Sequence, residues 1–182
     1  MSEGAEGRVR GACLSRWAAA LNRRHGPEAS KLIRLSLALP LSTLPDDPPP
    51  KTWLPVTTQL ALNQAICERY YGSDWDALKI DLIEDALQSL PTAVKLGLRL
   101  AGFPKALGRL VASYEHIYDF CRASVLLEAD SAIISYDPHP TCEREDWLRL
   151  QCWILEGLAR ACGGSATAHA SQSNVEVRWR LR

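Results

Sequence analysis

A histidine, a cysteine and a glutamate lie close together in the run His139-Pro140-Thr141-Cys142-Glu143. The His-x-x-Cys spacing can place two zinc ligands on one turn, and Cys121 or Cys152 would have to complete the site by folding back onto it. Because a closed zinc site needs four ligands, a turn followed by a helix cap is the favoured interpretation. We therefore predict no metal and no other cofactor, with all six cysteines present as free thiols.

Nucleophilic catalysis would need a thiol or hydroxyl beside an imidazole. His116 and Cys121 are five residues apart, about 500° around a helix, and do not share a face. Glu115 and Asp119 are four residues apart, but a solvated helix edge explains them better than a shared proton. The sequence contains no Gly-x-Ser-x-Gly elbow, no Walker loop and no Gly-x-Gly-x-x-Gly fingerprint. No residue is therefore predicted to be catalytic.

Small side chains recur where the predicted helices and sheet should meet. Small residues between large ones either let helices approach closely or leave a cavity, and the residues alone leave both possibilities open. If a cavity exists, it should be mostly apolar with a few polar groups. Its predicted lining is Cys67, Tyr70, Tyr114 and Trp153.

The overall composition is that of a soluble globular domain. The 182 residues are 47% hydrophobic and 23% charged, with 21 basic and 21 acidic side chains. This balance gives no bulk attraction to nucleic acid or to an anionic membrane. No segment approaches the 18 or so apolar residues of a spanning helix, and the start of the chain is too polar for a signal peptide. We expect a cytoplasmic protein without nucleic-acid partners or membrane insertion.

Helical periodicity dominates the first two thirds of the chain. Apolar residues recur every three or four positions, and glycines or prolines punctuate the runs. Asp46-Asp47-Pro48-Pro49-Pro50 is expected to be an extended connector, and Ser73-Asp74-Trp75-Asp76 is expected to be a capping box. The predicted helices cover residues 10–25, 28–39, 55–71, 75–90, 92–101 and 104–121.

The period changes to alternation after residue 121. Residues 122–137 are typical of a β-hairpin, and Thr141 is predicted to cap a helix that is apolar around most of its circumference. The closing strand directs Val175, Val177, Trp179 and Leu181 inward, with residues 166–170 as its partner. The predicted fold class is α+β: an N-terminal helical layer, then β-hairpin–helix–β-hairpin forming a four-stranded antiparallel sheet.

We predict one α+β domain over residues 1–182, because the apolar faces of its first helices need a partner surface. Its parts are a helical N-terminal pair (1–45), a proline-rich connector (46–55), a helical middle (56–121) and a sheet with a central helix (122–182).

This order of elements resembles the fold shared by haem nitric-oxide-binding domains, vinyl-reductase-type sensor domains and TRAPP vesicle-tethering subunits. More closely, the chain is similar to an uncharacterised paralogous family expanded in myxobacteria. The segments that carry the resemblance are residues 8–12 (RVRGA), 69–75 (RYYGSDW), 153–158 (WILEGL) and 175–179 (VEVRW). The resemblance implies a small regulatory or ligand-binding domain, often dimeric, with a cavity between the helices and the sheet.

Two departures from these relatives matter for cofactors. The zinc-binding sensors carry a cysteine-rich segment around the final hairpin, whereas residues 165–182 contain no cysteine. The haem-binding relatives need an axial histidine and a Tyr-x-Ser-x-Arg motif, and the chain lacks that motif. Neither cofactor is carried over.

The leading functional hypothesis is a non-catalytic, sensor-like module that binds a small apolar ligand between the helices and the sheet. The first alternative is a protein–protein interaction or scaffold domain that acts as a homodimer; the second is an enzyme of unrecognised type. A twofold dimer is expected through residues 92–121, which carry more apolar surface than two short helices can hide. The predicted interface residues are Trp53, Phe103, Leu107 and Leu110.

Overall fold

The structure is a computed structural model that describes residues 6–38 and 48–180. It confirms the α+β class, with helices first and a four-stranded antiparallel sheet after them. The helices are α1 (Gly11–His25), α2 (Ala29–Ser36), α3 (Val56–Tyr71), α4 (Trp75–Ser89), α5 (Thr92–Ala101), α6 (Phe103–Ile117) and α7 (Glu145–Ala161). The strands are β1 (Arg8–Arg10), β2 (Trp53–Pro55), β3 (Ala123–Leu127), β4 (Ser131–Tyr136), β5 (Ser165–Ser171) and β6 (Asn174–Arg180).

The chain divides into two compact units. The first unit comprises Met1–Ile80 and His116–Asp119, and the second comprises Asp81–Glu115 and Phe120–Arg182. The single domain inferred from the sequence stays a prediction.

The first unit is built from α1, α2, α3 and a short two-stranded sheet that the sequence did not reveal. Strands β1 and β2 pair antiparallel, with Val9 opposite Leu54. Arg10 lies opposite Trp53, and its guanidinium carbon lies 3.8 Å from the centre of the indole ring. Three-residue strands are too short to show an alternating pattern, and their pairing joins segments more than 40 residues apart.

The helix limits follow local chemistry, with four corrections. Helix α6 ends at Ile117, so the predicted extension to residue 121 does not form, because Tyr118 joins a β-bridge with Val9 instead. Helix α2 ends at Ser36, so the expected extension to residue 38 does not form, and residue 39 lies outside the described residues. The cap of α4 is Asp74, whose carboxylate accepts hydrogen bonds from the backbone N–H groups of Asp76 and Ala77, both at 3.0 Å. Ser73 does not cap it, because its φ of 69° places it in the left-handed region.

The cap predicted at Thr141 is also replaced. Residues Pro140–Glu143 form a short 3₁₀ helix, and α7 starts only at Glu145. The Nδ1 atom of His139 accepts a hydrogen bond from the backbone N–H of Thr141 at 3.1 Å. Of the proline-rich connector, residues 46 and 47 lie outside the described residues, and Pro48 and Pro49 are not helical.

The second unit packs α7 against one face of the sheet, whose strand order is β3-β4-β6-β5. Ala132 pairs with Val177 and Ile134 with Val175, and all four side chains are buried. Trp147 and Leu155 of α7 are fully buried as well. The alternation in β6 therefore has the physical cause expected from the sequence: every second side chain meets the helix.

Candidate functional site

Helix α3 carries three buried polar side chains whose oxygen atoms have no hydrogen-bond partner among residues 6–38 and 48–180. They are Thr58 Oγ1, Gln59 Oε1 and Asn63 Oδ1. The exposed fractions of these residues are 0%, 5% and 4%. At about 100° per residue they fall within an arc of about 140° around the helix. The three oxygens thus form one acceptor face, which we call the α3 acceptor face.

The α3 acceptor face is energetically expensive in the free protein. A buried polar atom without a partner costs about 1–3 kcal/mol, because it loses its hydrogen bonds to water and gains none. Around it, α3 buries mainly apolar side chains, including Val56, Leu60 and Ile66. A neutral molecule with hydrogen-bond donors and an apolar body complements such a surface.

Two of the predicted ligand residues, Cys67 and Tyr70, lie on the same helix. Cys67 is fully buried. Tyr70 is only half-buried and stacks on His25, with ring centroids 4.1 Å apart and an interplanar angle of 16°. The guanidinium carbon of Arg69 lies over the Tyr70 ring, 5.8 Å from its centre. Of the two, Cys67 is the one placed as a core-facing candidate.

The first unit also contains a small apolar cavity and an open groove. The cavity, of about 50 Å³, lies among α1, α2 and α3 and is lined by Leu14, Leu21, Ile33 and Ile66 among others. A volume of this size accommodates a water molecule but not a molecule of drug size. The groove, of about 560 Å³, runs along α3 past Ala61, Ala65 and the charged Glu68 and Arg69. Neither is lined by Cys67 or Tyr70.

The other two predicted ligand residues, Tyr114 and Trp153, lie in the second unit. Both are buried. The Tyr114 hydroxyl donates a hydrogen bond of 2.9 Å to Gln151 Oε1 and lies 3.4 Å from the Tyr136 hydroxyl. Burial and the neighbouring Tyr136 raise the pKa of Tyr114 well above its usual range. Tyr114 is therefore a neutral hydrogen-bond donor within a satisfied core network.

Of the four predicted interface residues, two are buried and two are half-buried. Phe103 and Leu107 fill the core of the second unit, where Phe103 contacts Trp179 with ring centroids 5.0 Å apart. Leu110 is half-buried, and Trp53 lies in β2 beneath Arg10. Helix α5 buries none of its residues. The exposed apolar side chains of this region lie on it: Val94, Leu96 and Leu100.

Within residues 6–38 and 48–180, no group of three or more histidine, cysteine, aspartate or glutamate side chains could hold a metal ion. His139 is engaged in capping the 3₁₀ helix, and its ring packs against Phe120 with centroids 4.7 Å apart. Cys142 is buried, and its thiol is free. Among the described residues, no helix is long and apolar enough to span a membrane.

Sequence reasoning singled out Tyr114 but missed the other polar residues of the two polar regions. Thr58, Gln59 and Gln151 were not singled out, although Asn63 lay within the apolar stripe of α3. A polar side chain inside an apolar stripe was the available signal, since burying it without a partner is costly. Gln151 gave the same signal, because it is the one polar side chain among the buried residues of α7.

The fold of the chain is that of an α+β domain whose helical first part precedes an antiparallel sheet backed by a single long helix. Solved structures that are similar to this chain include H-NOX domains. The unliganded Fe(II) H-NOX protein from K. algicida is similar with a TM-score of 0.62 and 11% identity, over 96% of this chain and 98% of that chain. An oxygen-binding H-NOX domain related to soluble guanylate cyclases gives a TM-score of 0.60 and 10% identity, over 95% and 96% of the two chains.

Neither a protein-family model nor a curated protein sequence matches the chain. At these identities the structural likeness shows the fold alone. The resemblance to vinyl-reductase-type sensors, TRAPP subunits and myxobacterial paralogues stays a prediction.

Haem is the group bound in the H-NOX family, and this chain has four histidines that could ligate one. A haem iron is commonly held by an axial histidine beside a cavity. His116 and His169 are exposed, whereas the rings of His25 and His139 are engaged by Tyr70 and Phe120. None of them lines the small cavity or the groove. Within each unit, the histidines present do not fit a histidine-ligated haem.

Proposed function

We propose that this protein is a non-catalytic, sensor-like module that binds a small, mostly apolar molecule carrying hydrogen-bond donors, and that it does so without haem. The observation that carries the proposal is the α3 acceptor face: three buried oxygens without partners on one helix. A donor group on the ligand would relieve the cost of these oxygens, and the buried apolar side chains of α3 would hold its body.

The likeness to H-NOX domains supports a sensing role by analogy of fold only. In such a module, the ligand is expected to stabilise the bound conformation in proportion to its concentration relative to its dissociation constant. The α3 acceptor face selects by chemistry: an N–H or O–H group on the ligand complements Gln59 Oε1 and Asn63 Oδ1. Cys67 lies on the same helix and stays a predicted contact.

The test uses ligands that differ only in their donor group. Thermal unfolding is followed with indole and with indene, which lacks the N–H, and with phenol and anisole, which lacks the O–H. We expect indole or phenol to raise the melting temperature in a concentration-dependent way and the donor-free analogue to do so much less. Equal shifts within both pairs, or none, would remove the acceptor face as the binding determinant.

The matched variants are Gln59→Leu and Gln64→Leu, which replace the same residue type on the same helix. Gln59 is buried, whereas Gln64 is exposed and hydrogen-bonds Glu68. We expect Gln59→Leu to abolish the difference between indole and indene and Gln64→Leu to keep it. Added haemin is expected to give no stoichiometric histidine-ligated spectrum; a one-to-one complex of that kind would overturn the haem-free part of the proposal.

A further inference from the structure

Strand β5 lies at one end of the four-stranded sheet, so one of its two sides has no partner strand among the described residues. On its other side it pairs with β6 along its whole length, from Ser165 opposite Arg180 to Ser171 opposite Asn174. Proteins commonly protect such an edge with charged side chains, prolines or bulges. Strand β5 contains no lysine, arginine, aspartate, glutamate or proline, and its register with β6 is unbroken. Its own residues therefore leave it open to a further strand.

The hydrogen bonds of the sheet show which backbone groups of β5 point outward. In an antiparallel pair, alternate residues exchange hydrogen bonds with the partner strand, and the residues between them point away from it. The N–H of Trp179 in β6 donates to the carbonyl of Asp130, on the β4 side, at 3.0 Å. Trp179 therefore exchanges no bonds with Ala166, its partner in β5. The outward N–H and C=O groups, which we call the β5 edge, are those of three alanines: Ala166, Ala168 and Ala170.

The central donor of the β5 edge is capped by a side chain. The backbone N–H of Ala168 donates a hydrogen bond of 3.2 Å to Glu156 Oε1. Glu156 is half-buried and lies on α7, the helix that packs against β5. Its carboxylate occupies the N–H that an added strand would need at the middle of the edge. This contact also confirms that Ala168 points away from β6.

The sequence of β5 is nearly symmetric about Ala168. Two β5 strands that pair antiparallel around a twofold axis at this residue would bring like or similar residues together: Ser165 with Ser171, Ala166 with Ala170, and Thr167 with His169. The outward groups of Ala166 would face those of Ala170 in the second copy, in the register that antiparallel hydrogen bonding requires. The β5 edge therefore complements a second copy of itself.

We propose that the β5 edge is a self-pairing surface for a second copy of this chain and that the Glu156 carboxylate keeps it closed. With Glu156 in place, the central N–H is occupied. The twofold axis would also bring the Glu156 carboxylates of the two copies close together, where like charges repel. When the Glu156 side chain turns away, the Ala168 N–H becomes available to the Ala168 carbonyl of the second copy. This surface is separate from the proposed ligand function.

The first experiment compares Glu156→Ala with Glu145→Ala. The control removes a carboxylate from the same helix, where Glu145 accepts a hydrogen bond of 2.7 Å from Arg149 instead of capping the sheet. Light scattering gives the mass of each whole chain over a range of concentrations. The unmodified chain is the reference, because the sequence predicts a separate dimer through residues 92–121. We expect Glu156→Ala to raise the mass about twofold and Glu145→Ala to leave it unchanged.

A second substitution shows whether the association uses the β5 edge. Ala170 is exposed, and its outward N–H is not bonded to β6, so Ala170→Pro removes an edge donor at a position where proline is tolerated. We expect the double variant Glu156→Ala/Ala170→Pro to return to the mass of the unmodified chain. Association that persists in the double variant would assign it to another surface and overturn the proposal. So would an unchanged mass in folded Glu156→Ala.

Amide hydrogen exchange tests the cap in the unmodified chain. We expect the Ala168 N–H, which Glu156 caps, to exchange about tenfold more slowly than the outward N–H groups of Ala166 and Ala170. Equal rates at the three alanines would overturn the role of Glu156. If Glu156→Ala fails to fold, this measurement still decides whether the carboxylate closes the edge.

Discussion

Two groups of buried polar side chains, one in each unit, differ in whether their hydrogen bonds are satisfied within the described residues. In the second unit, Tyr114 and Gln151 satisfy each other, and Gln151 also donates to the backbone carbonyl of Trp147 at 3.5 Å. In the first unit, the oxygens of Gln59 and Asn63 have no partner among the described residues. A network in which every buried polar group is hydrogen-bonded favours one rigid core. Buried acceptors without a partner in the chain can instead bind a donor group of another molecule. The Tyr114–Gln151 cluster is therefore structural, whereas the α3 acceptor face is a candidate binding surface.

The largest expected effect concerns the core of the second unit. Trp147 is fully buried and contacts Tyr136 with ring centroids 4.8 Å apart. We expect Trp147→Ala to lower the free energy of unfolding by about 3–5 kcal/mol, because truncation leaves a cavity. Urea denaturation measures it, with Trp53→Ala as the control. Trp53 is only half-buried, so its loss should cost clearly less, and equal costs would contradict the assignment of Trp147 to the rigid core.

The second prediction is that removing a polar group lowers the free energy of unfolding in the second unit but not in the first. Tyr114→Phe leaves Gln151 Oε1 without its donor and should cost about 1–3 kcal/mol. Asn63→Leu removes an acceptor that already lacks a partner, so the free energy of unfolding should stay unchanged or rise by about 1–3 kcal/mol. Urea denaturation of both variants without added ligand gives the comparison. A comparable loss at Asn63 would mean that its oxygen is satisfied within the folded chain.

The third prediction uses the raised pKa of Tyr114. Above about pH 10, a tyrosine of the unfolded chain loses its proton, whereas buried Tyr114 keeps it, so the unfolded state binds fewer protons. The contribution is therefore fully present below about pH 10 and is lost as pH rises towards the folded pKa. The loss is up to about 1.4 kcal/mol per pH unit.

Tyr114→Phe should remove that part of the alkaline slope. Unfolding free energies at several pH values between 9 and about 11.5 measure it, and Tyr70→Phe in the first unit serves as the control. The titrations of the thiols are common to all three proteins and cancel in the difference. An unchanged slope in Tyr114→Phe would show that Tyr114 ionises equally in the folded and unfolded states.

The smallest effect on stability is expected at α5, where the sequence predicts a homodimer. Leu96 and Leu100 are 58% and 79% exposed, so replacing both by aspartate should change the free energy of unfolding by no more than about 0.5 kcal/mol. The mass in light scattering should fall from that of a dimer to 20.1 kDa. Leu126→Asp on the exposed face of β3 is the control. A natural chain of 20.1 kDa at every concentration would refute the dimer.

Local pattern was sufficient for most elements, because it reports the chain's own periodicity. The alternation of Val175, Val177 and Trp179 predicted β6, and the stop at Gly72 matches its left-handed φ of 56°. The sequence predicted caps at Ser73 and Thr141, whereas the structure has them at Asp74 and His139. The pattern could not distinguish them, because several polar residues stand at each helix start. Only the backbone angles select between them.

The sequence by itself determined the α+β class, the order of the helices and of strands β3 to β6, and the strand-helix-strand core of the second unit. The tertiary structure alone decided which polar groups are satisfied. Tyr114 and Gln151 are 37 positions apart, and their hydrogen bond exists only in the folded chain. Hydrogen bonds act over a few ångströms, so side chains far apart in sequence interact only after the backbone has folded.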